Sequence, residues 1–94
     1  MAVTLEDRVT KTTKAAWQDI DGETILLVAE DEKLLGLNVV AGRIWQLADG
    51  TLSVEAIAQA LDTEFDAAGS DLRQDTLGFV NKLVALGLLE ACGP

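Results

Sequence analysis

Three short apolar segments precede the longer helical patterns of this chain. The runs Ala15–Ile20 and Glu23–Ala29 are rich in apolar residues and are separated by Asp21 and Gly22. An Asp-Gly pair readily adopts the positive φ angles of a two-residue hairpin turn. A charged turn then leads to a third short apolar run at Leu34–Leu37. The pattern therefore predicts a three-stranded antiparallel sheet whose third strand lies at an edge.

Three amphipathic segments follow the predicted strands, and their apolar residues recur with a helical period. The predicted helices are Val39–Ala48, a second one from the cap Ser53 to about Phe65, and a third from Ser70 or Asp71 to about Leu86. Asn38 and Ser53 are suited to cap helix N-termini, and Gly50 and Gly87 are suited to left-handed stops. The order along the chain is thus three strands and then three helices.

The apolar arc of the third predicted helix covers about half of its circumference, which is more than one side of a small bundle needs. One stripe contains Leu72, Phe79, Leu83 and Leu86. A second contains Leu77, Val80 and Val84, with Arg73 and Thr76 at its N-terminal end. Either this helix is wedged between the bundle and the sheet, or part of its second stripe is left for a partner.

Length and composition indicate one globular domain. The chain has 94 residues, of which 49% are hydrophobic. Residues 1–12 are predicted to be a flexible N-terminal arm and residues 13–91 the folded domain. There is no signal peptide pattern and no apolar run near the roughly 20 residues that a membrane span needs. A cytoplasmic location is therefore expected.

The residues that most catalytic and metal sites require are scarce. The chain has no His and a single Cys, Cys92, which excludes an intrachain disulfide and a cysteine-based zinc site. Ser53 and Ser70 have the positions of helix caps, and no His is present to activate them. We therefore expect a protein that is not an enzyme and that has no cofactor and no metal of its own.

The charge of the chain favours basic partners. Sixteen acidic and seven basic side chains give a net charge of −9, which repels phosphate backbones. An exposed edge strand offers unpaired N–H and C=O groups to an extended peptide, and neighbouring apolar side chains supply sequence preference. These features together favour a peptide-binding domain whose guest carries Lys or Arg.

An ordered series of short motifs runs from about Asp21 to Leu89. In chain order they are Leu37-Asn38, Ala41, Ile44-Trp45, Leu47, Asp49-Gly50-Thr51, Val54, Ile57, Leu61, Asp75-Thr76, Phe79-Val80, Leu83 and Gly87-Leu88-Leu89. With this series the chain resembles the PqqD family, the recognition elements for ribosomally made and post-translationally modified peptides. Thr76 departs from the β-branched apolar residue expected after Asp75. The resemblance implies an α+β, winged-helix-like domain, with a three-stranded antiparallel sheet followed by a three-helix bundle.

The resemblance also implies a function. The leader segment of a precursor peptide would bind as an added strand on the third strand, against the third helix. The domain would then present the precursor to a modifying enzyme, such as a radical enzyme that uses S-adenosylmethionine and carries its own iron–sulfur cluster. The expected peptide-binding residues are the backbone of Lys33, Leu34, Leu35, Gly36 and Leu37 and the side chains of Arg73, Thr76, Leu77 and Val80, whereas Phe79 and Leu83 are assigned to the core.

Two alternatives remain open from the residues alone. A winged-helix DNA-binding regulator would need a basic recognition helix. The last predicted helix instead carries Asp71 and Asp75 against Arg73 and Lys82, so no nucleic acid partner is expected. A domain that only docks on a partner enzyme would have the same sequence features. The chain is expected to be a monomer, or a homodimer paired through its edge strand.

Overall fold

The chain is described by a computed structural model over residues 3–13, 16–21, 23–28, 33–65 and 72–92. Within those residues the elements are β1 (Arg8–Lys11), β2 (Ala16–Ile20), β3 (Glu23–Val28), β4 (Lys33–Leu37), α1 (Val39–Leu47), β5 (Asp49–Ser53), α2 (Val54–Glu64), α3 (Leu72–Ala85) and β6 (Leu89–Ala91). The strands form two three-stranded sheets, in the orders β5-β1-β6 and β2-β3-β4. The fold is therefore α+β, with two small antiparallel sheets and three helices.

The predicted three-stranded sheet is confirmed by β2, β3 and β4. Both of its strand pairs are antiparallel, and Ile20 of β2 faces Glu23 of β3 across a two-residue turn. Asp21, the first residue of that turn, has a φ of +51°, as a hairpin turn of this length requires. Among the described strands β4 pairs only with β3, so it lies at the edge where the sequence pattern placed it. The charged turn at 30–32 and Ala29 lie outside the described residues.

Residues 1–12 were expected to be a flexible arm, but Arg8–Lys11 of that segment belongs to a second sheet, while residues 1–2 lie outside the described residues. β1 is the central strand of this sheet and pairs with β5 on one side and β6 on the other. Val9 is fully buried, and the Val3 N–H donates to Asn81 Oδ1 at 2.7 Å. The pattern missed this strand because Val9 is the only large apolar residue in Arg8–Lys11, and its partners are distant in sequence. A domain that began at residue 13 would lack this central strand.

The predicted order of three strands and then three helices is also corrected. β5 lies between α1 and α2, and β6 follows α3. α1 ends at Leu47, and the N–H of its C-cap Ala48 donates to Ile44 O at 3.1 Å. Gly50 has a φ of +88°, but it belongs to β5 and is not the helix stop. The short strand forms because β1 supplies the hydrogen-bonding partners for its backbone.

The other three predicted helix ends, at Asn38, Ser53 and Gly87, are confirmed. Asn38 Oδ1 accepts the N–H of Ala41 at 2.8 Å, and Ser53 Oγ accepts the N–H of Ala56 at 3.1 Å. Gly87 follows α3 with a φ of +79°, and its N–H donates to Val84 O at 3.0 Å. The predicted start of the third helix at Ser70 or Asp71 lies outside the described residues.

The core is centred on Trp45 of α1, which is fully buried. The Trp17 ring of β2 meets it edge to face, with ring centroids 5.5 Å apart. The ammonium of Lys11 in β1 lies 5.4 Å from the Trp17 centroid and 5.2 Å from the Trp45 centroid, and it donates to Ala48 O at 3.2 Å. Burial lowers the pKa of Lys11, and the Asp49 carboxylate partly opposes this shift. This cluster joins the two sheets through α1.

α1 packs closely against the β2-β3-β4 sheet at Gly42. A Cβ added to Gly42 would lie 2.9 Å from Thr24 Oγ1, so a side chain there would push the helix away from β3. Thr24 is itself buried and donates its hydroxyl to Asp19 Oδ1 at 2.8 Å. The close approach sets where the N-terminus of α1 lies relative to the edge strand that precedes it.

Candidate peptide-binding site

The side chains of β4, which pairs only with β3 among the described strands, lie on two faces of the sheet. Leu35 and Leu37 face inward, since they pair with the buried residues Leu26 and Thr24 of β3. Leu34 and Gly36 face outward, and Leu34 is 71% exposed. A chain that paired with this edge would place alternate side chains on the same two faces.

A cleft of about 240 Å³ lies between the N-terminal half of α1 and the first half of α3. Its lining residues are Asn38, Val40, Ala41, Ile44, Leu72, Asp75, Thr76 and Phe79. Asn38 follows Leu37 directly, so the cleft begins where the edge strand ends. Asn38 therefore links the C-terminal end of β4 to the cleft, and an extended guest segment along β4 could reach the cleft residues.

The structure brings together only part of the expected side-chain set. The strand residues Lys33 to Leu37 form β4, and Thr76 lies in the cleft. Arg73 lies on the other side of α3, where its Nη1 is 3.6 Å from Glu55 Oε1 of α2. Val80 is fully buried, and Leu77 is half-buried against the core. A guest on the surface could not contact Val80 without a rearrangement of the core.

The cleft residues that sequence reasoning missed come from the other apolar stripe of α3. Leu72 and Phe79 belong to that stripe, and Phe79 was expected in the core together with Leu83. The signal was present in their helical spacing with Thr76, because residues three or four apart share a face. The residues contributed by α1 are Val40, Ala41 and Ile44, and no local pattern distinguishes them from core positions.

A second groove on α3 faces α2 and is more polar. Its volume is about 450 Å³, and its lining residues are Glu55, Ala58, Gln59, Asp62, Thr63, Leu72 and Arg73. No described strand has a free edge among these residues. This groove therefore lacks the backbone partner that would align an extended peptide.

Thr76 forms part of the cleft, and its buried hydroxyl has no hydrogen-bond partner among the described residues. We expect Thr76→Val to raise the free energy of unfolding by about 1 kcal/mol, because it keeps the shape of the side chain and removes an unpaired buried polar group. Thr24→Val is the matched control, since its buried hydroxyl donates to Asp19, and this variant should lose stability. Urea denaturation measures both changes. Equal losses of stability in the two variants would contradict the prediction.

The groups that the site presents are the backbone of β4 and mainly apolar side chains of α1 and α3. Within the described part of the chain, no three acidic or cysteine side chains come together in a way that could hold a metal ion. Cys92 is exposed and unpaired with another cysteine. No described helix is long and apolar enough to cross a membrane. The arrangement offers main-chain hydrogen bonds at β4 and apolar contacts in the adjoining cleft.

Comparisons with known proteins point to one family. No curated protein gives a significant match to the sequence. Among solved structures, TbiB1 in complex with the TbiA(beta) leader peptide has a TM-score of 0.71 and 27% identity, over 86% of this chain and 94% of that chain. The PqqD truncation of Methylobacterium extorquens PqqCD, a stand-alone recognition element for ribosomally synthesised and modified peptides, has a TM-score of 0.74 and 24% identity, over 95% of each chain. The second likeness supports the fold alone. The family model for coenzyme PQQ synthesis protein D matches residues 23–89, and the chain therefore belongs to the PqqD family.

Proposed function

We propose that this protein is a non-catalytic recognition element that binds the leader segment of a ribosomally made precursor peptide. The leader would pair with the free edge of β4 as an added strand, and its inward-facing side chains would enter the cleft between α1 and α3. The observation that carries the proposal is that β4, which pairs only with β3 among the described strands, is followed directly by Asn38 in the lining of an apolar cleft. The similarity to TbiB1, which was solved with a leader peptide bound, supports it.

Strand addition explains how one small surface could supply both affinity and selectivity. Main-chain hydrogen bonds at β4 would provide affinity that is largely independent of sequence. The cleft would provide preference for apolar guest side chains through Leu72, Phe79 and Ile44. The net charge of −9 would favour leaders that carry Lys or Arg near the bound segment.

The partners follow from the same proposal. The domain would present the rest of the precursor to a modifying enzyme, such as a radical enzyme that uses S-adenosylmethionine, and it would work in the cytoplasm. Before a leader binds, the β4 edge of one chain could pair with that of a second copy. We also propose that the arrangement is winged-helix-like without a nucleic acid function, because Arg73 on α3 is paired with Glu55 in a strongly acidic chain.

The test is a titration of the ¹⁵N-labelled full chain with synthetic leader peptides from short precursor genes beside its own gene. We expect amide resonances to shift along Leu34–Leu37 and at the cleft residues Ala41, Thr76 and Phe79, with little change at Arg73 on the opposite side of α3. Scrambled versions of the same leaders are the control.

Two outcomes would contradict the proposal. One is the absence of shifts with every leader, and the other is a set of shifts confined to the groove between α2 and α3. Titration with the modifying enzyme encoded beside this gene, without any leader, tests the alternative of a domain that only docks on an enzyme. Such a domain would bind the enzyme and no leader.

A further inference from the structure

The outer face of the β2-β3-β4 sheet is apolar and exposed. Ile20 is 45% exposed, Leu27 is 41% exposed and Leu34 is 71% exposed. A depression of about 270 Å³ lies on this face, and its lining includes Ala16, Gln18, Ile20, Ile25, Leu27 and Leu34. The outer faces of small antiparallel sheets are usually polar when they are solvated. This face is continuous with the β4 edge through Leu34.

Gly36 makes a notch in this face at the edge strand. It pairs with Ile25 of β3, which in turn pairs with Gln18 of β2. Among the residues that the structure describes, a Cβ added to Gly36 would meet nothing within 4 Å. Gly36 therefore presents no side chain to Ile25 from the directly opposite position, and the other outward-facing residue of β4 is Leu34, which lines the same depression as Ile25.

Nothing within the described fold requires glycine at this position. The described glycines with positive φ are Gly50 and Gly87, so the backbone at Gly36 does not need the conformational freedom of glycine. Its open surroundings also differ from those of Gly42, where Thr24 leaves no room for a side chain. A glycine inside a strand weakens the strand and often marks a place where a ligand or another backbone approaches closely.

A guest strand paired with β4 must place alternate side chains on this outer face. Residues directly opposite each other across an antiparallel pair have Cβ atoms about 4.5–5.5 Å apart. One outward guest side chain would therefore pack on Leu34, and another would lie beside Gly36 with open space in front of Ile25.

We propose that the notch at Gly36 is a specificity pocket for a large apolar side chain of the guest peptide. The inference rests on the proposed strand addition and names its substrate class more narrowly. The recognised segment is apolar on both faces of the added strand, with a bulky residue opposite Gly36 that covers Ile25, and it is not a simple alternation of apolar and polar residues. A second copy of this chain is a less suitable occupant. Two copies that packed together through the whole outer face would gain nothing from the missing side chain at Gly36.

The experiment compares the full-length wild-type chain with Gly36→Val as baits for a display library of random peptides of about 12 residues, enough for one strand and its flanks. We expect wild-type binders to contain a large apolar residue two positions from another apolar residue. Peptides selected with Gly36→Val should instead carry Gly or Ala at the position opposite residue 36. The substitution should also weaken a bulky wild-type binder about tenfold, and much less when that peptide's bulky residue is replaced by Ala. Gln18→Val is the matched control, because it adds the same side chain in the same row on the far strand.

The outcomes separate this inference from the proposed function. If neither library peptides nor leaders bind the wild-type chain, strand addition itself fails and the inference fails with it. If peptides bind at β4 but Gly36→Val keeps the same preference and affinity, the pocket is overturned while the proposed function stands. If Gly36→Val changes only self-association in sedimentation experiments, the occupant is a second copy and the inference is overturned.

Discussion

Phe79→Ala is expected to weaken the binding of a leader peptide about 30-fold, whereas Leu77→Ala on the same helix should change it by less than about threefold. Phe79 lines the cleft beside β4, and truncation of an aromatic residue in the centre of an interface removes both contact area and the exclusion of water. Leu77 is not among the residues that line this cleft. Isothermal titration with a leader that shifts the wild-type resonances measures both affinities.

The two variants are matched because both side chains are half-buried and pack against the core. They should therefore lose similar amounts of stability, and thermal denaturation will show that both remain folded. A larger loss of affinity in Leu77→Ala would contradict the orientation of α3 described above. It would favour instead the stripe that the sequence pattern first assigned to the peptide.

Trp45→Ala is expected to lower the free energy of unfolding by about 3–5 kcal/mol. Trp45 is fully buried and contacts Trp17 and Lys11, which belong to different sheets. Removal of the ring would leave a cavity where the two sheets meet α1, and the Lys11 ammonium would lose an aromatic face. Urea denaturation followed by circular dichroism measures the loss.

Trp17→Ala is the control, with an expected loss of about 1–2 kcal/mol, because Trp17 is 47% exposed. If Trp45→Ala does not fold, Trp45→Phe keeps the comparison measurable, since it retains a buried ring and removes an indole N–H that has no partner in the described part of the chain. If Trp17→Ala and Trp45→Phe lowered the free energy of unfolding equally, each by more than about 3 kcal/mol, a core centred on Trp45 would be contradicted.

The rotation of α3 about its own axis is a feature that the sequence pattern could not determine. Both apolar stripes of α3 were recognised, yet the stripe with Leu77 and Val80 was assigned to the peptide and the one with Phe79 to the core. Periodicity gives the angle between the stripes but not the direction in which the helix is rotated. That rotation depends on α2, which packs against α3 and pairs Glu55 with Arg73.

The sequence by itself determined the features whose causes lie within a few residues. These are the hairpin at Asp21, the caps Asn38 and Ser53, the edge position of β4 and the acidic charge that disfavours nucleic acid. Only the tertiary structure decided the second sheet, because β1 has a single large apolar residue and its partners β5 and β6 are about 40 and 80 residues away. Only the tertiary structure likewise decided which face of α3 adjoins the cleft, because that choice is made by the packing of other elements and not by the helix itself.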